Sequence, residues 1–200
     1  LTDIVVTDVD AGENITATLT LTDTSAGELT TSGGGSYTPG TGVWTISDTV
    51  INVNTALAAV TFTPATDYET DTSISLNIAD GGENSADPVT GTITLTATPV
   101  NDTPTDMALT AATIAENASG ATVGTLSTTD VDSGDTTTYS IQADASNLFE
   151  ISGSTLKLIA GSSADYETAT SHAVTVRITD SGSLTYDEIF TVTVTDINDA

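Results

Sequence analysis

Residues 172–179 read "HAVTVRIT", and their alternation decides the fold. Val174, Val176 and Ile178 fall on one side of an extended chain, with Thr175, Arg177 and Thr179 on the other. That is the period-two pattern of a strand with one face in a core and the other in water. The same reading applies to "ITATLTLT" (15–22), "TSISLNIA" (72–79), "GTITLTAT" (91–98) and "IFTVTVTD" (189–196). Threonine suits the wet face because its branched side chain fits a pleated surface. Gly- and Asp-rich breaks separate the segments, as in an all-β sandwich of antiparallel strands. No helical stripe longer than a turn or two is expected, and "NTALAAV" (54–60) is the only candidate.

Working outward, the chain repeats itself. "DVDAG" (8–12) returns as "DVDSG" (130–134), and "TDYETDTS" (66–73) as "ADYETATS" (164–171). "ADGG" (79–82) returns as "TDSG" (179–182), and "VND" (100–102) as "IND" (197–199). Four markers in one order imply two copies of one domain, 1–100 and 101–200, joined near "TPVNDTP" (98–104). Pro99 and Pro104 fix φ on either side, which suits a stiffened junction. The surplus of the first copy is placed in Gly33–Val53 and read as an added hairpin and turn. With few residues ahead of Asp8, the first copy is expected to lack its first strand, as a piece of a longer array would.

The charge balance narrows the partners. Against 28 Asp and Glu stand only Lys157 and Arg177, with one histidine, His172, for a net charge of −26. Nucleic acid and anionic membrane surfaces are poor partners for such a chain; cations, or a saline medium, are good ones. At 38% hydrophobic and 15% charged, the composition is not that of a disordered chain. No apolar run approaches the ~18 residues of a membrane span, so membrane insertion is not expected. The absence of cysteine excludes disulfides, thiolate metal sites and cysteine nucleophiles.

Three carboxylates crowd "TDVDSGD" (129–135), and "TDVDAGE" (7–13) nearly repeats it. Two like charges ~4 Å apart repel by about 4 kcal/mol at an effective dielectric near 20. Either these groups point apart into water, or a cation from outside the chain sits between them. One Asp-x-Asp is a common turn; four acid-bearing markers in fixed order, twice over, are far more specific. All-oxygen ligands favour Ca²⁺ over zinc or copper, and crowded carboxylates suit magnesium's small octahedral shell less well. Neither stretch has the helical flanks or the twelfth-position Glu of an EF-hand.

These residues resemble the cadherin repeat family, in the bacterial cadherin-like form found in large RTX-type surface adhesins. In repeat two the resemblance is carried by "AEN" (115–117), "DVD" (130–132), "DYE" (165–167), "TDSG" (179–182) and "DIND" (196–199). In repeat one it is carried by "DVD" (8–10), "DYE" (67–69), "ADGG" (79–82) and "VND" (100–102). It implies an all-β chain of two tandem Greek-key β-sandwiches, cadherin/Ig-like, in an elongated arrangement with Ca²⁺ at the domain junction. The implied junction ligands are Asp67 and Glu69, the Val100 carbonyl, Asn101 and Asp102, and Asp130, Asp132 and Asp180. Asp8, Asp10 and Asp80 would face a missing preceding domain. Glu116, Asp165, Glu167, Asp196, Asn198 and Asp199 would face a missing following one. Pro99 departs from the family's linker, which usually starts with Asp, and repeat one has no partner for Glu116. One or two ions are therefore expected at the junction rather than the family's usual three.

The function this implies is a calcium-rigidified extender or adhesive module of a large secreted or cell-surface bacterial protein. Its partners would be calcium and neighbouring repeats of the same chain. The alternatives are a ligand-binding module for a cell-surface glycan, peptide or protein, and a calcium-dependent homophilic adhesion domain. Tyr37, Trp44 and Phe62 are candidates for a sugar-stacking platform, although Trp44 and Phe62 read better as core. Halophile-style solvated acidity is the bland alternative to metal binding, and it does not explain the order of the markers. His172, with no second histidine, reads as a strand or surface residue. "NIT" (14–16), "NAS" (117–119) and "NDT" (101–103) match glycosylation acceptors but are unremarkable in so Thr-rich a chain. No Ser-His-acid set or phosphate-cradling loop is legible, so an enzyme is not expected.

Overall fold

A computed structural model describes residues 4–9, 12–81, 87–132 and 134–198. The chain divides into two compact units, Leu1–Val100 (unit 1) and Asn101–Ala200 (unit 2).

Unit 1 contains β1 (Asn14–Leu21), β2 (Gly27–Leu29), β3 (Ser36–Thr38) and β4 (Val43–Thr49). Helix α1 (Val50–Ala59), β5 (Phe62–Pro64), β6 (Thr72–Asp80) and β7 (Val89–Leu95) follow. Five strands form an antiparallel sheet in the order β3-β4-β1-β6-β7, while β2 and β5 pair separately. Alternation sets the register. Ile15, Ala17, Leu19 and Leu21 of β1 are buried, and the intervening threonines take the other face. There Thr16 donates to Ser47 Oγ at 2.9 Å, and Thr18 and Thr45 hydroxyls pair across the strands. On the buried face Leu19 stands opposite both Trp44 and Leu76. Val53, Ala56, Leu57 and Val60 complete that core.

The ten-residue α1 corrects the expectation that no helix exceeds a turn or two. Its buried positions, Val53, Ala56 and Leu57, have i, i+3, i+4 spacing. Exposed Ile51 on the other side and several β-branched residues of low helix propensity blur the stripe. Local contacts compensate: Asp48 Oδ1 accepts from the Thr49 amide at 2.7 Å and the Asn52 carboxamide at 3.0 Å. Asn54 then pins the incoming chain, accepting from Val6 N–H at 2.8 Å and donating to Val6 O at 2.9 Å.

Unit 2 contains β8 (Asp106–Leu109), β9 (Thr113–Ala115), β10 (Thr122–Thr129) and β11 (Thr138–Asp144). It continues with β12 (Phe149–Ser152), β13 (Thr155–Leu158), β14 (Ser171–Thr179) and β15 (Thr185–Thr195). Two sheets, β12-β13-β10-β8 and β11-β14-β15-β9, enclose one core. Val174, Val176 and Ile178 from β14 and Val192 and Val194 from β15 supply one wall; Val123, Leu126, Leu156 and Leu158 supply the other. Each such burial contributes about 1.5–3 kcal/mol. β9 pairs in parallel, against β15.

The markers equate β1 with β11, β6 with β14 and β7 with β15. By that correspondence β8, β9 and β10 have no counterpart among the described residues of unit 1. The segment Gly33–Val53 holds the β3–β4 hairpin, a 3-10 turn at Pro39–Thr41, part of another at Ser32–Gly34, and the start of α1. Two expectations about aromatics are settled here. Trp44 is fully buried, which removes it from any sugar-stacking platform, whereas Phe62 and Tyr37 are half-buried against the core. His172 is the second residue of β14, its ring edge-on to Phe149.

Candidate metal centre

The loop from β10 to β11 and the turn after β14 build the principal acidic site of unit 2. Strand β10 ends at Thr129, so Asp130, Asp132 and Asp135 enter one loop, where a carboxylate oxygen of each lies within 4.8 Å of the others. The loop folds on itself: Asp132 N–H donates to Asp130 Oδ1 at 3.1 Å. Asp135 accepts from the Ser181 hydroxyl at 2.6 Å, tying the loop to the turn after β14. Asp180, 6% exposed, accepts from Leu184 N–H at 2.8 Å and from Asn101 Nδ2 at 3.0 Å. Asp102 N–H donates to Asp132 Oδ2 at 2.7 Å. Thus the linker-side residues Asn101 and Asp102 join Asp130, Asp132 and Asp180, as residues distant in sequence. Asp135 was missing from the expected ligand set although it stands in the same crowded stretch.

A second group lies elsewhere in unit 2. Glu116 follows β9, is 1% exposed, and groups with Asp165 and Glu167. Its Oε1 accepts from Ile197 N–H at 2.6 Å and its Oε2 from Tyr166 N–H at 3.2 Å. These amide donors, Ile197 first, hold the Glu116 carboxyl below its ordinary value against the opposing effect of burial. Asp165 is lowered likewise, by the Thr168 hydroxyl at 2.7 Å and the Thr168 amide at 3.1 Å. Asp196 and Asn198 follow β15 and are exposed. Asp199 lies outside the described residues.

In unit 1, Asp8 and Asp80 come together with Glu13, which the ligand pattern had not included. Asp80 Oδ1 accepts from Gly81 N–H at 2.7 Å. Asp10 lies outside the described residues. Glu69 Oε1 accepts from Val100 N–H at 3.2 Å. Asp67 is exposed and joins no acidic group among the described residues; its φ of 55° differs from the conformation of Asp165, its counterpart.

The donor chemistry fits a hard cation. Asp130 Oδ2 is buried and accepts no hydrogen bond. Three carboxylates lie together, and both of the chain's basic residues are engaged elsewhere, Lys157 with Glu150 at 3.0 Å and Arg177 with Asp187 at 2.7 Å. Side-chain oxygens of Asp130, Asp132 and Asp135 make an all-oxygen set suited to calcium rather than to softer metals.

Residues 110–195 match the family model described as "Cadherin domain". No curated protein matches the chain in sequence. Among solved structures, the chain resembles protocadherin gamma B2 extracellular cadherin domains 3–6 with a TM-score of 0.56 and 20% identity, covering 92% of this chain and 42% of that one. Domains 1–5 of the same protein give 0.51 and 21%, over 90% of this chain and 33% of that one. A protocadherin gamma B7 structure described as an EC3–6 cis-dimer gives 0.54 and 18%, over 90% and 42%. The chain therefore spans well under half the length of these structures. The likeness to cadherins is one of sequence over residues 110–195 and one of fold over about nine tenths of the chain.

Proposed function

We propose that this chain is a calcium-stiffened structural and adhesive module of a large extracellular bacterial protein, with the Asp130–Asp132–Asp135–Asp180 group as its principal calcium site. The observation that carries the reading is the Asp130 carboxylate: one oxygen is buried without a hydrogen-bond donor, beside two further carboxylates and no cationic side chain. Calcium, when bound, would supply the positive charge that this oxygen set lacks. Asn101 orients Asp180, Asp102 N–H orients Asp132, and Ser181 orients Asp135. Each carboxylate is thereby held in place, with further lone pairs on its oxygens open to a cation. Participation of Asp67, Glu69 and the Val100 carbonyl in the same site is part of the proposal and rests on the sequence resemblance alone. Assignment to a bacterial surface adhesin rests on that resemblance together with the charge of −26.

Extracellular calcium modules bind at about 10⁻⁴–10⁻³ M. At about 10 mM calcium, linkage then gives roughly 1.4–2.7 kcal/mol of stabilisation, which is a rise of about 5–15 °C in the melting temperature of a domain this size. Differential scanning calorimetry in chelator and in calcium tests this. An unchanged transition overturns the reading, and so does a shift that Asp130→Asn and Asp132→Asn leave intact.

A further inference from the structure

Strands β2 and β5 stand apart from the five-stranded sheet of unit 1 as a two-stranded ribbon. Side chains alternate across it. Leu29 is buried in the core, whereas Glu28 is exposed and stands directly opposite Thr63. Two residues along, Thr61 donates through its amide and its hydroxyl to Thr30 Oγ1, at 2.9 and 3.2 Å. One flank of the ribbon therefore carries a carboxylate and a row of hydroxyls. Backbone bonds continue the pairing at both ends: Ala65 N–H donates to Ala26 O at 2.8 Å, and Thr30 N–H to Thr61 O at 3.0 Å. Gly27 lets the strands approach, since a Cβ there would lie 2.1 Å from Thr63 O.

A cleft of about 900 Å³ is lined by this ribbon together with Tyr37 and Pro39. That size falls within the range of small-molecule sites, about 300–1,000 Å³. Tyr37 and Pro39 belong to the surplus segment of the first copy, the one that distinguishes unit 1 from unit 2. With Pro64 they give the cleft flat apolar surface, while five threonines, Ser25 and Glu28 give it polar groups. None of the described residues that line it is basic. The Tyr37 hydroxyl is shut off from water and has no hydrogen-bond partner among the described residues. A buried hydroxyl in that state is costly and calls for a partner from outside the chain.

We infer that this cleft is a binding site for a neutral oligosaccharide. A hydroxyl both donates and accepts, so the threonines match a ligand whose own hydroxyls do both. Glu28 only accepts. With Thr63 opposite, it sets an acceptor beside a group that donates and accepts, a pairing that two adjacent sugar hydroxyls complete. The C–H face of a pyranose ring covers the apolar surface at Tyr37, Pro39 and Pro64, and a hydroxyl at the ring's rim partners the Tyr37 hydroxyl. Charge selects against acidic sugars, because the charged group among the described lining residues is a carboxylate and the chain carries −26 overall. An apolar peptide would cover the prolines but leave Glu28 and the threonines desolvated without partners. The site lies wholly in unit 1 and uses none of the carboxylates proposed for calcium.

The test titrates the full 200-residue chain, in chelator, with cellotetraose, mannotetraose, xylotetraose and chitotetraose, and reads amide chemical shifts by NMR. At least one of these sugars is expected to bind saturably, with a dissociation constant on the order of 1 mM or tighter, and to shift the amides of Glu28, Tyr37 and Thr63. Tyr37→Phe keeps the ring and should weaken binding about threefold to tenfold. It should not lower the melting temperature of the free chain, which separates a lost ligand contact from a lost structural one. Glu28→Gln, at an exposed position, should weaken binding about tenfold, since its contacts are no longer charge-assisted. Tetragalacturonate should not bind. Silence in all of the neutral titrations, shifts confined to unit 2, or unchanged affinity in both variants would overturn the inference. So would equal binding of tetragalacturonate, or tighter binding of decaproline at the same amides. Because calcium is absent, a failure here is distinguishable from a failure of the calcium reading.

Discussion

Asn101 Nδ2 donates to Asp180 Oδ2 at 3.0 Å, joining residues 79 positions apart and holding a buried carboxylate in place. Gly182 makes room for this contact, since a Cβ there would lie 2.3 Å from the Asn101 carboxamide. Gly182→Ala should therefore displace Asn101 while leaving the β14–β15 core intact. The loss is one side-chain hydrogen bond, about 0.5–1.5 kcal/mol of stability. Calcium affinity should fall further, by about threefold to tenfold, because Asp180 loses its orienting partner. Calorimetry in chelator and in calcium separates the two effects; an unaltered calcium response contradicts the role given to Asn101.

Glu116 makes stability depend on acid in a defined direction. Its folded carboxyl lies below the ordinary value of 4.5, held there by Ile197 and Tyr166 amides. Between the lowered and the ordinary value the unfolded chain binds more protons than the folded one. The contribution is thus complete above about pH 4.5 and is lost as pH falls through the folded pKa. Glu116→Gln should lower the melting temperature most at neutral pH, and the deficit should shrink in acid below pH 4. A deficit constant across that range contradicts the assignment.

Trp44 reports on unit 1. It is the chain's single tryptophan, fully buried, and a Cβ on Gly35 would lie 2.2 Å from its ring. Gly35→Ala forces the indole or the backbone aside, an overpacking cost of about 1–3 kcal/mol. The fluorescence-detected transition should move to lower denaturant concentration. A midpoint equal to the parent's would show that the segment before β3 is free to lift away.

Arg177 and Asp187 form the best ion pair in unit 2, with bonds of 2.7 and 2.8 Å across β14 and β15. Both are exposed, and the guanidinium holds the Asp187 carboxyl below its ordinary value. Exposed pairs contribute about 0–1 kcal/mol. Arg177→Ala should therefore shift urea unfolding by no more than that, and a larger loss would mean the pair supports something beyond itself.

Strands were legible wherever one face is buried, because alternation then survives selection of the wet face by threonine. The limits of "GTITLTAT" were not: β7 runs over Val89–Leu95, and its expected continuation through Thr96–Thr98 finds no ladder partner among the described residues. Helix α1 was illegible because its buried residues are small or β-branched and its outer side carries Ile51. The repeated markers pointed to Asp130 and Asp132, which the loop after β10 brings together. Glu13 and Asp135 were missed because the resemblance names only the two aspartates of each "DVD", while the loop fold brings the next acid back beside them. The same "DYET" gives two conformations: Asp165 is fixed by Thr168, and its neighbour Tyr166 by Glu116. Unit 1 has no counterpart of Glu116 among its described residues, so Asp67 was not predictable from its own neighbours.

The central claim is that the oxygens of Asp130, Asp132, Asp135 and Asp180 exist to hold calcium. Crystals of the full chain grown in millimolar calcium, with data collected for anomalous scattering, test it most directly. The account predicts an anomalous peak among these four carboxylates, absent from Asp130→Asn crystals grown alike. A difference map without such a peak, with Asp130 and Asp132 turned toward bulk water, would contradict it.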